Sequence, residues 1–423
     1  MMDEEEQLRE RLAAVDVPAS RIEVEALLGA GRRAAFRRRS LRASGGVALA
    51  TAALLAVPSA LTGGTGRPAD RSALGTAATT PAATTPAATS PARATPAATT
   101  PARVTPPATP ATAVADPATG CRPAELPVPP GMRSVEPAAV DPTGRYVVGN
   151  GSVGQDFRPI LWTDGKPRAL PVPGTSVQAT AVNAGGVVVG LVQNGSQEYV
   201  ARYADGVWTR LRTPPGKWHP YPTPKINRAG DVVINVEPSG NSGGEGSFAL
   251  LWKAGSTTAV RLPLPAGANV HDITDDGTLV GGTYADGVGV AAYVWNQRGD
   301  GRRLAVPAGQ TGLAYAAQGD WVTGGAWPSE SVARWNLRTG QVIVGPRWTH
   351  GAGSEPYGPG TAVNASGWAV ALGTVLRAEE PVELTLPDGQ IGRAADVSDG
   401  GLVVGSAFTD PGSRHLGPRA WRC

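Results

Sequence analysis

Between residues 139 and 405 the chain repeats one pattern: a short apolar run, a polar or glycine-rich turn, and a second apolar run. It is clearest in AVNAGGVVVG (181–190) and returns as KINRAGDVVI (225–234), DITDDGTLVG (272–281), AVNASGWAVA (362–371) and DVSDGGLVVG (396–405). Two looser copies occupy 139–149 and 314–323. The turn glycines are Gly144, Gly186, Gly230, Gly277, Gly319, Gly367 and Gly401. They lie 42, 44, 47, 42, 48 and 34 residues apart, a period close to that of four-stranded propeller blades.

The copy spanning 176–216 shows how one blade is written. VQATAVN predicts a strand ending in an Asn turn, and Gly185 and Gly186 supply the backbone freedom the hairpin needs. VVVGLV predicts a second strand, apolar on both faces. YVARYAD and VWTRLRTPP, joined at Ala204, Asp205 and Gly206, complete an antiparallel set of four. The third strand ends in an aromatic in most copies (Trp162, Tyr203, Trp252, Trp295, Trp335, Trp421). The fourth carries Leu170, Leu211, Leu262, Leu304, Ile343 or Leu384 shortly before a proline, which suits an edge strand. All of these are read as residues of the fold.

The count predicts an all-β, seven-bladed β-propeller with an unusual closure. The copy at Gly401 has a third strand but no fourth. The segment AELPVPPG (124–131) stands alone and matches RALPVPG (168–174). It is expected to enter the seventh blade as its outer strand. Cys423 lies two residues after Trp421, and Cys121 five before Leu126; in the intact copy those offsets fall on Asp164 and Gly165, the turn between strands three and four. A Cys121–Cys423 disulfide is therefore expected in place of that turn. The copy at Gly367 is short and lacks the aromatic, which predicts a slim sixth blade; a six-bladed ring is the alternative.

Ahead of the propeller (121–423) three segments differ in character. Residues 1–44 pass from acidic to strongly basic and predict a cytoplasmic tail with short amphipathic helices. Residues 45–62 carry no charge and, as a helix, extend roughly 27 Å, enough for a thin bilayer core. Six arginines precede them, so a single transmembrane helix with a cytoplasmic N-terminus is expected, a cleaved signal peptide being the alternative. Residues 63–120, nearly all Ala, Thr and Pro, predict a disordered linker.

Residues 121–423 hold 25 basic and 25 acidic side chains, so nucleic acid is a poor partner. No catalytic, metal or cofactor motif stands out. Gly240–Gly244 reads G-x-S-x-G but sits in a glycine-rich loop. Asp272, Asp275 and Asp276 match no ordered calcium loop, the four histidines lack zinc spacing, and nothing singles out a pair such as Asp396 and Asp399. Long loops are expected on the face opposite the tight turns, and two concentrate aromatics and histidine: Trp218, His219 and Tyr221, then Trp348, His350 and Tyr357, with Trp327 nearby. Such groups suit a glycan, peptide or protein partner.

The AVNxxGxVVG phrase followed by an aromatic-ended strand resembles the extracellular HAF repeat, a family of bacterial propeller-forming repeats, over about residues 121–423. The resemblance implies a propeller and an exported location, and no catalytic residues. The expectation is a membrane-anchored extracellular binding or scaffolding module at the cell envelope. The alternatives are a propeller-based hydrolase or lyase, or a transmembrane sensor signalling through its tail.

Overall fold

Each copy of the phrase builds the first hairpin of a sheet, four-stranded in six cases and five-stranded in one, and the seven sheets make a β-propeller. The computed structural model describes residues 120–239, 246–285, 288–347, 358–378, 380–409 and 414–423, and among these there is no helix. The tail, the apolar segment 45–62 and nearly all of the linker lie outside the described residues, as do Trp348, His350 and Tyr357.

Blade 2 shows the regular form. Its strands Ser176–Val182, Val188–Asn194, Gln197–Ala204 and Val207–Arg210 pair in chain order from the axis outward. The Asn183 side chain accepts the amides of Gly185 and Val187 at 3.0 and 3.1 Å, and Gly186, at φ 74°, completes the turn. Blade 1 spans 133–169, blade 3 218–261, blade 4 268–303, blade 5 311–347, blade 6 362–383 and blade 7 390–422 together with 122–125.

The last glycine of the phrase shapes the inner wall. Five inner strands carry a β-bulge, between Pro137 and Ala139, Ala179 and Ala181, Val270 and Asp272, Ala314 and Ala316, and Ala394 and Asp396. Opposite each bulge stands a glycine: Gly149, Gly190, Gly281, Gly324 or Gly405. A Cβ on any of these would collide with the bulged strand's carbonyl. Blades 3 and 6 have Ile234 and Ala371 there and make no bulge. Their inner strands are instead broken into Trp218–Pro220 and Lys225–Ile226, or cut to Ala362–Val363. The segment GKWHPYPTPK (216–225), expected as a long loop, therefore contains the inner strand of blade 3. Pro220 is tolerated because this edge strand faces the axis, and Pro222 and Pro224 fall in the break between the two pieces.

Closure follows the expected scheme. Arg122–Glu125 pairs with His415–Arg422 as the outer strand of blade 7, with Pro123 opposite Trp421, as Pro167 is opposite Trp162 in blade 1. Leu126 N–H donates to Pro418 C=O at 3.3 Å, and Leu170 N–H does the same to Pro159 at 2.9 Å. A Cys121–Cys423 disulfide occupies the turn position.

Neighbouring blades are stitched by indoles. Trp162, Trp252, Trp335 and Trp421 donate N–H to the carbonyls of Pro127, Arg212, Ala305 and Thr385, at 2.7, 3.0, 2.6 and 3.3 Å. Each acceptor directly follows the outer-strand leucine of the preceding blade. In blade 2 the third-strand place belongs to Tyr203, and Trp208 on the outer strand makes the bond, to Pro171 at 2.8 Å. Burying a large ring while satisfying its one donor explains why tryptophan recurs there.

Blade 6 is the slim one. Leu376 takes the aromatic's place, opposite Ala369. Arg334 of blade 5, only 2% exposed, reaches into blade 6 and donates to Gly367 C=O at 3.0 Å and to Ala378 C=O. A guanidinium thus holds both tight turns of this blade. Ile343 corrects the outer-strand pattern: it pairs with Arg334, and the place of the buried leucine falls to Gly345.

Candidate functional site

Register alignment brings seven residues to one level around the axis. Ala139, Ala181, Lys225, Asp272, Ala316, Ala362 and Asp396 face Val148, Val189, Val233, Val280, Thr323, Val370 and Val404 on the second strands. All seven line one axial cavity of about 100 Å³ at the tight-turn end. Four blades thus contribute only a methyl group, while blades 3, 4 and 7 contribute one ammonium and two carboxylates.

The carboxylates are held by backbone. Asp396 accepts the amide of Val140 in the next blade at 2.9 Å and that of Val397 at 2.8 Å. Asp272 accepts Ala317 N–H, again from the next blade, at 2.9 Å and Ile273 N–H at 2.9 Å. Alternate amides of an inner edge strand point away from their own sheet, and each aspartate satisfies two of them. Burial raises both carboxyls above the ordinary aspartate range, against the pull of Lys225 and these amides; Asp396 reaches about 6. At the mouth, Arg228 pairs with Asp275 at 3.2 Å.

Above the ring the wall turns aromatic. His271, the extra residue of the blade 4 bulge, has Nε2 3.1 Å from the Tyr284 hydroxyl and meets the Tyr315 ring edge-on at 5.4 Å. Burial, and then Lys225, lower its pKa to about 4, so the imidazole is neutral at pH 7. Burial also raises the Tyr284 and Tyr315 hydroxyls. Among the described residues no group of three or more His, Cys, Asp or Glu gathers to hold a metal ion.

Of the aromatic residues expected to bind, Trp218, His219 and Tyr221 come together on the inner strand of blade 3 and just beyond it. Trp218 and Tyr221 pack against the core shared by blades 2 and 3. The Trp218 ring meets Phe248 edge-on at 4.8 Å, and its N–H is shared by Pro214 and Pro215 carbonyls, each at 3.2 Å. His219 lies 3.6 Å from the Glu198 carboxylate. Trp327 ends the second strand of blade 5, two blades away.

The charged ring itself went unseen in the linear reading, although its signal was present. Ring residues open the clear phrases, whose first letters read Ala181, Lys225, Asp272, Ala362 and Asp396. A position that varies between methyl and charge inside a repeat otherwise conservative in type is the mark of a site laid over a scaffold.

No protein-family model matches the chain, and no curated protein is similar to it. Among solved structures it is similar to TolB from Acinetobacter baumannii, with 10% identity over 68% of this chain and a TM-score of 0.38. It covers 63% of that chain, just under two thirds. It is also similar to oligogalacturonate lyase from Vibrio parahaemolyticus, with 10% identity over 72% of this chain and 90% of that one, at a TM-score of 0.44. A prolyl endopeptidase gives 13% identity over 66% of this chain and 46% of its own length, at a TM-score of 0.44. These are likenesses of fold.

Proposed function

We propose that this chain is a membrane-anchored, exported propeller whose folded domain is a binding module for a glycan, peptide or protein of the cell envelope. The axial cavity carries the reading. It is concave and preformed, and a few polar groups converge on it within an otherwise small-residue wall, which is the usual make-up of a ligand site. The disulfide supports export, because such bonds persist in oxidising compartments. Residues 45–62 supply the anchor in this reading and 63–120 the spacer, in agreement with the HAF-repeat resemblance. Of the described aromatic residues, His219, beside the Glu198 carboxylate, is the contact residue in this reading.

Crosslinking the full-length chain in its own envelope, with mass-spectrometric identification, tests this. A specific partner should be recovered, in lower yield when His219 is replaced by alanine. Recovery no better than from a strain lacking the protein overturns the reading.

A second reading, an envelope hydrolase or lyase, is favoured by one observation. Asp396 lines the axial cavity, and burial raises its carboxyl to about 6, a range suited to proton transfer near neutral pH. Turnover of an envelope polysaccharide, lost in Asp396→Asn, would select it.

A further inference from the structure

We propose that the axial cavity binds a small solute carrying both a carboxylate and an ammonium group, the carboxylate set against Lys225 and the ammonium against Asp396. This rests on the binding-module reading and names what the cavity takes.

The argument starts from what each ring residue does for the fold. The four alanines line the wall and leave room. The two aspartates each tie two edge amides, one within the blade and one from the next. Lys225 does nothing comparable. Among the described residues its ammonium has no hydrogen-bond acceptor and no carboxylate within ion-pair distance, although it is half-buried and lines the cavity. Its charge acts on Asp272 and Asp396 only at longer range, without a direct ion pair, so its donors are left for a ligand to accept. Its place in the ring is accounted for by a ligand that completes it.

Charge then narrows the ligand. A plain anion would meet Lys225 but also two carboxylates, and a plain cation would meet the carboxylates but also Lys225. Only a solute with both charges complements the set. The two aspartates are already fixed by backbone, so little ordering is left to binding. Size narrows it further. A closed cavity of about 150 Å³ holds benzene, with its six heavy atoms, so the space of about 100 Å³ here encloses roughly four, and its open mouth leaves room for about two more. An α-amino acid with a small side chain meets both conditions.

Isothermal calorimetry on the full-length protein, with L-alanine and its two halves, propionate and ethylamine, tests this. L-Alanine should bind saturably and at least tenfold more tightly than either half. Lys225→Met and Asp396→Asn should each weaken it at least tenfold while the melting transition is retained. The comparison of the three probes uses only the wild-type chain, so it stays decisive if a variant does not fold. No saturable heat with L-alanine, equal binding of all three probes, or undiminished binding by a folded Lys225→Met variant overturns the inference. Envelope partners recovered with Lys225→Met, together with no alanine binding, remove this inference and leave the broader reading standing. Alanine binding without any envelope partner does the reverse.

Discussion

Blades 1 and 7 carry the same outer strand in the same register, yet one is reached through a hairpin and the other across the whole domain. In blade 1, Lys166 faces Thr163 and Pro167 faces Trp162; in blade 7, Arg122 faces Arg422 and Pro123 faces Trp421. Each strand is followed by a buried leucine and a carbonyl that accepts an indole from the next blade, Trp208 in one case and Trp162 in the other. The outer strand is thus specified by its contacts, and the connection only sets how much entropy its docking costs. The difference lies in the covalent link, a two-residue turn against a disulfide, and at the ring position, Ala139 against Asp396.

The largest effect should come from the link. Cys121→Ser combined with Cys423→Ser frees a loop of 302 residues' separation, and the chain-entropy model gives a loss of about 6 kcal/mol. Denaturant unfolding with and without reductant measures it. A loss under about 1 kcal/mol would mean that strand contacts alone hold the ring closed.

Next in size, Leu126→Ala and Leu170→Ala should each cost about 3 kcal/mol, since both side chains are buried between blades. With the disulfide intact the two costs should agree within about 1 kcal/mol. A much cheaper Leu126→Ala would show that the foreign strand is held by sulfur and not by packing.

The ring position should show in the pH response. The raised Asp396 carboxyl favours the folded state in acid, and that contribution is lost as pH climbs through about 6. The lowered His271 favours the folded state at neutral pH, and that contribution is lost as pH falls through about 4. Between pH 4 and 6 the two slopes oppose each other. Asp396→Asn should therefore make the stability slope more positive by about 1.4 kcal/mol per pH unit relative to wild type. Unfolding midpoints at pH 4, 5 and 6 read this directly, and an unchanged slope would place the titration elsewhere. Smallest, Trp208→Phe should cost about 1 kcal/mol for the lost bond to Pro171, less than Trp162→Phe, whose ring is fully buried.

Much of the fold was legible because its signals are local. The Asn and Gly turns, the apolar second strands and the aromatic third-strand ends each sit inside a single repeat. The closure was legible because AELPVP lacked a repeat of its own and two cysteines flanked the gap. The inner strand of blade 3 was hidden because Pro220, Pro222 and Pro224 together look like a loop; Pro220 sits in an axial edge strand that does not need its missing donor, and the other two fill the break before Lys225. The slipped position of Ile343 follows from the turn before it: Trp335 pairs with Val342, seven residues on, where Trp162 pairs with Pro167, five residues on. The charged ring required seven registers to be aligned at once. Lys225, Asp272 and Asp396 are far apart in the chain, and only the pairings set them level.

The joint at Cys121 also has a mechanical meaning. A pull arriving from residue 120 enters the domain at Cys121 and passes at once through a covalent bond to Cys423. The four-residue strand that follows is thereby shielded from being peeled away one hydrogen bond at a time. Under tension, the weakest-looking seam of the propeller becomes its strongest attachment.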